Sequence, residues 1–216
     1  MARQNTHARI IEASLLLFNE EGERNISTNH IAAHLNISPG NLYYHFRNKE
    51  EIIVQLYRQY RSKMMQCLHD AETTRNIHDM ANYLTRIFDV MWAYRFLFSG
   101  VNTLLARSEA LVGEHDEFTQ ADASPLMLKI LQELTEAGIL KGSAEDMQHL
   151  CTNMWLVTRY WFDFDAAIRG HGKLLPDSKQ LGVLRNFSLI RPYVAESYVA
   201  ELNEVVARLQ TAQTTV

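Results

Sequence analysis

The stretch ISTNHIAAHLNISPGNLYYHFRNKEEI, residues 26–52, constrains this chain more than any other part of it. It reads as helix, tight turn, helix, and the start of a third helix. Ser27 is suited to cap the first of these, because its hydroxyl can accept from an unpaired N–H of the opening turn. Ile31, Ala32 and Leu35 then recur at helical spacing, and Asn36-Ile37 makes the turn. Ser38 caps the next helix, and Pro39 takes its first position, where a missing N–H costs nothing. Leu42 and Phe46, four apart, form its inward face.

The outward face of that short helix carries Pro39, Gly40, Asn41, Tyr43, Tyr44 and His45. Gly40 is a poor helix former, but it lets a partner approach the backbone closely. Two tyrosines and a histidine facing outward call for something to cover them. Phosphate oxygens and base edges would use their O–H and N–H donors, and thymine methyls their apolar faces. The segment is therefore expected to read DNA.

The same residues resemble the head of the TetR-type one-component repressors. The match is S-P-G-N-L-Y-Y-H-F-R-N-K-E-E-I at 38–52, preceded by T-x-x-I-A at 28–32 and L-F-x-x-x-G at 17–22. It covers about the first quarter of the chain. The resemblance implies an all-α homodimer with a three-helix DNA-binding head and a larger domain that takes a small effector. It also implies that Thr28, Pro39, Gly40, Asn41, Tyr43, Tyr44, His45 and Lys49 lie at the DNA.

Composition agrees with that picture. The chain has 216 residues, 47% hydrophobic and 21% charged, enough for a sizeable core. It has no long apolar run of membrane-spanning length and no apolar signal-type N-terminus, so a cytoplasmic protein without a membrane partner is expected. Cys67 and Cys151 make neither a disulfide framework nor a zinc quartet. The net charge of −4 divides into +2 over residues 1–63 and −6 over the rest. DNA affinity depends on local cations and not on the total. Arg3, Arg9, Arg47 and Lys49 are the candidate phosphate contacts.

The expected organisation is a helix-turn-helix domain at 1–48, a connecting helix at 49–70 and an effector-binding and dimerisation domain at 71–216. The first helix spans Thr6–Glu21 and closes at Gly22. The fourth begins near Asn48 and runs to about Asp70, a semi-rigid lever of roughly 33 Å at 1.5 Å per residue. A fifth is expected over Ile77–Leu97 and a short one over Val101–Leu111. Pro125 predicts a break or kink after a polar stretch. Leu126–Ala137 is helical up to Gly138, and Ser143 with Asp146 suggests a capping box that opens a long eighth helix to about Arg169. A ninth helix starts near Asp177, is interrupted at Arg191-Pro192, and a last one covers Ala195–Leu209.

The predicted body is rich in aromatic and Met side chains. Met91, Trp92, Arg95, Phe96, Met127, Trp155, Arg159 and Phe162 are the candidate effector residues, since small-molecule pockets are mostly apolar with a few polar anchors. As a set they favour a hydrophobic or flat aromatic effector. Arg95 or Arg159 would anchor an acidic group. The plainer readings are an ordinary aromatic core, a surface cation at Arg95 and a pair between Arg159 and Asp163 four residues on.

The eighth helix is apolar on two sides, with Leu150, Met154, Val157, Trp161 and Phe164 on one and Trp155, Phe162 and Ala166 on the other. Together with a helix after Pro176 it is the candidate dimer interface. His30 and His34 are four apart, but Ile31 and Ala32 fill the gap where a metalloprotease has Glu. No metal site, cofactor motif or catalytic constellation is expected. Two alternatives remain at this point: a helical carrier whose head binds protein, with little salt dependence, or an enzyme with convergent titratable groups in the body. The main expectation is a ligand-released repressor on a palindromic double-stranded operator.

Overall fold

The computed structural model describes residues 6–70, 74–98 and 109–211. Among these the chain is helical, with one isolated antiparallel bridge between Leu140 and Val194. It divides into two compact units, Met1–Ser62 with Tyr94–Gly113, and Lys63–Ala93 with Glu114–Val216.

The first unit contains α1 (Thr6–Glu21), α2 (Thr28–His34), α3 (Pro39–His45) and the opening of α4 (Lys49–Asp70). Ile10, Ile11, Leu17 and Phe18 of α1 are buried, with Ile31 of α2, Leu42 of α3 and the Phe46 that follows it. Gly22 closes α1 at φ +84°, a conformation that favours glycine. Ser27 caps α2 in a reciprocal box: its hydroxyl accepts the His30 N–H, and His30 Nδ1 accepts the Ser27 N–H. Asn36 takes the left-handed conformation (φ 54°) that turns the chain into α3. Ser38 accepts the Asn41 N–H at 3.1 Å, and Asn48 accepts that of Glu51 at 2.9 Å to open α4. Each of these caps removes an orphan donor that the helix itself cannot satisfy.

Helix α5 covers Ile77–Ala93 and stops four residues short of the expected end. Tyr94 turns, and Arg95–Phe98 form a 3-10 turn. Tertiary contacts override helical propensity here. The Phe96 N–H donates to Asn19 Oδ1 of α1 at 3.1 Å instead of continuing the helical ladder. The Phe96 ring packs on Phe18 at 5.3 Å, and Tyr94 and Phe98 pack around Tyr60 of α4. The segment from Tyr94 therefore belongs with the head, and the effector expectation for Arg95 and Phe96 meets a different neighbourhood. The expected short helix over Val101–Leu111 lies mostly outside the described residues.

In the second unit, α6 (Glu109–Glu117, beginning in the first) leads through a π-helical turn, Phe118–Ala123, into α7 (Ser124–Glu136). At the break or kink expected near Pro125 the α-helical ladder gives way to this π turn, and the chain stays helical through it. Pro125 sits in the first turn of α7, and the π turn shifts the hydrogen-bond register so that its missing N–H ends nothing. Gly138 closes α7 with a paired motif, Gly138 N–H to Thr135 O and Ile139 N–H to Leu134 O.

Ser143 and Asp146 form the expected box at the start of α8 (Ala144–Ile168). It packs against α9 (Ser178–Ile190), which also rests on α5; α10 (Val199–Thr211) completes the unit. Gly182 of α9 allows this close approach, since a Cβ there would collide with the Phe88 ring and lie 2.7 Å from Trp161. The turn from α8 to α9 is held by charge: Asp165, 2% exposed, accepts from Arg169 at 2.6 and 2.8 Å and from Ser178 Oγ at 2.5 Å. Burial pushes its carboxyl up, but the Arg169 and Ser178 hydrogen bonds with the Arg169 and Arg185 charges outweigh that and hold it below the ordinary range.

Candidate nucleic-acid interface

The outward face of α3 is open to solvent. Tyr44 is 86% exposed, Tyr43 is 48% exposed, and Pro39, Gly40 and Asn41 beside them are exposed. A Cβ at Gly40 would meet only Ser38 Oγ, at 3.9 Å. Internal packing therefore makes no demand for glycine there, and the bare backbone is free for a partner. Tyr43 is held by a hydrogen bond between its hydroxyl and that of Thr28, 3.1 Å apart, which ties α3 to the start of α2. His45 is half-buried, in edge contact with Tyr44 (5.2 Å) and with His7 (6.2 Å), and His7 stacks on Phe46 at 4.6 Å.

Two candidate phosphate cations are engaged within the head. Lys49 Nζ lies 2.7 Å from Glu23 Oε1 and donates to the Glu23 and Ile26 carbonyls at 2.9 and 3.0 Å. Those acceptors use the three donors of an ammonium, so in this structure Lys49 staples the α1–α2 turn to α4. Arg9 donates to the Leu35 carbonyl at the end of α2. Arg3 lies outside the described residues. Arg47 stays exposed, its side chain 90% accessible and 4.0 Å from Glu51. Sequence reading missed Arg24. It sits in a 3-10 turn, Glu23–Asn25, whose orientation periodicity does not reveal.

The comparisons with known proteins bear on both units. The family profile described as bacterial regulatory proteins, tetR family, matches residues 10–56. A second, described as TetR, bacterial transcriptional repressor, matches residues 59–202.

The chain belongs to the TetR family.

A TetR-family transcriptional regulator of Marinobacter aquaeolei VT8 is 36% identical, with 95% of this chain and 99% of that one covered and a TM-score of 0.86. The ketosteroid transcriptional regulator KstR2 of Mycobacterium tuberculosis is similar in fold at 19% identity, covering 90% and 97% with a TM-score of 0.64. SmeT of Stenotrophomonas maltophilia, in complex with triclosan, is 22% identical, covering 89% and 93% with a TM-score of 0.62. No curated protein matches the chain. As a TetR-family protein the chain is a DNA-binding transcriptional regulator and not an enzyme.

The body of this TetR-family regulator brings several expected effector residues together. Phe162 is fully buried, with the rings of Trp92 and Phe88 each 5.9 Å from it in edge contact. Met91 is buried on the same helix as Trp92, and Met127 Sδ accepts from the Tyr83 hydroxyl at 3.9 Å. Trp155 is half-buried. Arg159, 9% exposed, meets His115 Nε2 at 3.3 Å and lies over the Tyr160 ring, whereas the expected partner Asp163 is exposed. Arg95 faces the head: burial lowers its pKa, opposed by the charge of Glu20 on α1. Among the described residues no group of three His, Cys, Asp or Glu is placed to hold a metal, and no helix is long and apolar enough to cross a membrane.

Proposed function

We propose that the protein is a homodimeric cytoplasmic repressor, released from a palindromic DNA operator by a small hydrophobic or aromatic effector. The observation that carries this reading is the exposed Tyr43-Tyr44 face of α3, braced by Thr28 and served by the bare backbone of Gly40. Pro39, Gly40, Asn41, Tyr43, Tyr44 and His45 enter the major groove, and Thr28 fixes their register on the backbone. Two heads related by a two-fold axis read half-sites about 34 Å apart.

A row on α8 supports the dimer. Leu156, Tyr160, Phe164 and Ile168 recur every four residues and are 50%, 43%, 58% and 68% exposed. Such a stripe needs cover. With the neighbouring α9 from each subunit it makes a four-helix interface. The effector class rests on the body's own side chains, Met91, Trp92, Met127, Trp155 and Phe162, with Arg159 as a polar anchor. KstR2 is named for ketosteroids and SmeT binds triclosan, both hydrophobic, but those likenesses carry the fold alone. Effector binding acts on the heads through α4, whose residues belong to both units. It regulates only by binding the two head arrangements with different affinity.

The test is fluorescence anisotropy on duplexes from upstream of the protein's own gene, across a salt series. Nanomolar, sequence-dependent binding with a steep salt slope supports the reading, and the same complex then screens hydrophobic compounds for release. Sequence-independent binding there, and no site in a genome-wide selection, would sink it.

A further inference from the structure

We infer that Arg24 and Arg47 form a clamp for one backbone phosphate of the DNA, in the cleft that Lys49 also lines. This rests on the DNA-binding reading above and names the group that supplies its sequence-independent affinity.

The two arginines come from separate turns. Arg24 lies between α1 and α2, and Arg47 between α3 and α4. Both line one open cleft of about 340 Å³, with Ser27, Thr28, Tyr43 and Lys49. Two of these, Thr28 and Tyr43, form the hydroxyl pair that braces the reading helix. The cleft therefore opens beside α3, where the phosphates flanking a major groove must pass.

The charges are available. Arg24 is exposed, and no other described residue holds its guanidinium. The Arg47 side chain is 90% accessible and only approaches Glu51, whose Oε2 is already taken by the Arg47 backbone N–H at 2.8 Å. Lys49 sits in the same cleft with its ammonium spent on Glu23 and Ile26. Its charge cancels that of Glu23 and leaves the two arginines as the net positive field. A planar guanidinium matches phosphate oxygens with two parallel N–H bonds. Two of them in one lining, with the Thr28 and Tyr43 hydroxyls beside them, suit a singly charged phosphodiester.

The experiment uses the full-length dimer and a 40-base-pair duplex that the protein itself selects from a random library. Binding is measured from low to high salt for the wild type and for Arg24→Gln, Arg47→Gln, Lys49→Gln and Lys173→Gln, an exposed lysine of the second unit. Each phosphate contact contributes about −0.9 to the slope of log Kobs against log salt. The clamp neutralises one phosphate per subunit and two per dimer, so the double variant is expected to flatten the slope by about 1.8 and each single arginine variant by part of that. Their melting temperatures and their preference for the selected duplex over a scrambled one stay at the wild-type level. Lys173→Gln changes nothing, and Lys49→Gln lowers the melting temperature of the head. Unchanged slopes in folded Arg24→Gln and Arg47→Gln overturn the clamp while leaving the regulator reading intact. So does a slope lost only in a fully folded Lys49→Gln. A wild-type protein with no steep slope on its selected duplex overturns both.

Discussion

The side-chain oxygen of Asn19, on α1 of the head, accepts the backbone N–H of Phe96 at 3.1 Å. Both residues lie in the first unit, so the segment that follows α5 is fastened to α1 within that unit. Phe96 is 4% exposed, and its N–H has little access to water as a substitute. Asn19→Ala is expected to cost about 1–3 kcal/mol, the desolvation penalty of an unmade buried hydrogen bond. Hydrogen exchange mass spectrometry should show faster exchange over 94–98 with α8 unchanged. Equal exchange in both regions would remove this tie as a structural determinant.

Lys49 and Glu23 are a second fastening. Glu23 is 8% exposed and its partner's side chain 19%, so removal of one partner strands the other. Lys49→Ala should destabilise the head by about 3 kcal/mol, the scale for breaking a buried pair. The Lys49→Met, Glu23→Gln double variant should recover much of that. Urea midpoints for the four corners of the cycle measure it, and a Lys49→Ala midpoint at the wild-type value would contradict the pairing.

Tyr44 is the opposite case. At 86% exposure its internal contact is the edge of His45. Tyr44→Ala should leave stability within about 0.5 kcal/mol and weaken operator binding by tenfold or more, about 1.4 kcal/mol. Anisotropy and a thermal melt on the same preparation separate the two effects.

Phe164, 58% exposed at the centre of the α8 stripe, tests the dimer. Phe164→Asp puts two like charges across a two-fold axis in a desolvated surface. Sedimentation velocity should show monomer at micromolar concentration, with far-UV helicity retained. A Phe164→Asp protein that stays dimeric would move the interface elsewhere.

Asp165 sets an acid limit on the body. Its carboxyl is held below the ordinary range in the folded chain, burial being outweighed by Arg169 and Ser178. A depressed folded pKa stabilises above the unfolded value, about 3.9. That stability is lost as pH falls through the folded value. The wild type should therefore lose melting temperature steeply below about pH 4. Asp165→Asn, less stable at neutral pH, should show a flatter slope there. Parallel slopes would show that another group controls the acid transition.

The helices with strong local signals were legible in the sequence. Ser27, Ser38 and Ser143 announce their helix starts, Gly22 and Gly138 their ends, and the spacing of Leu42 and Phe46 separates the packed face of α3 from Tyr43 and Tyr44. These features act within a few residues of chain, so periodicity and capping chemistry suffice to read them.

What only the tertiary structure decided concerns groups whose partners are far away in sequence. Lys49 turns inward because Glu23, 26 residues earlier, is buried beside it. Arg95–Phe98 leave the helix because Phe18, Asn19 and Tyr60 offer better contacts than the next helical turn. Pro125 ends nothing because a π turn precedes it, and Arg24 and Arg47 come to line one cleft only when two separate turns meet. Local propensity ranks conformations by about a kilocalorie per residue. A buried ion pair or an aromatic contact matches or exceeds that difference, and which residues meet in one is a property of the folded chain.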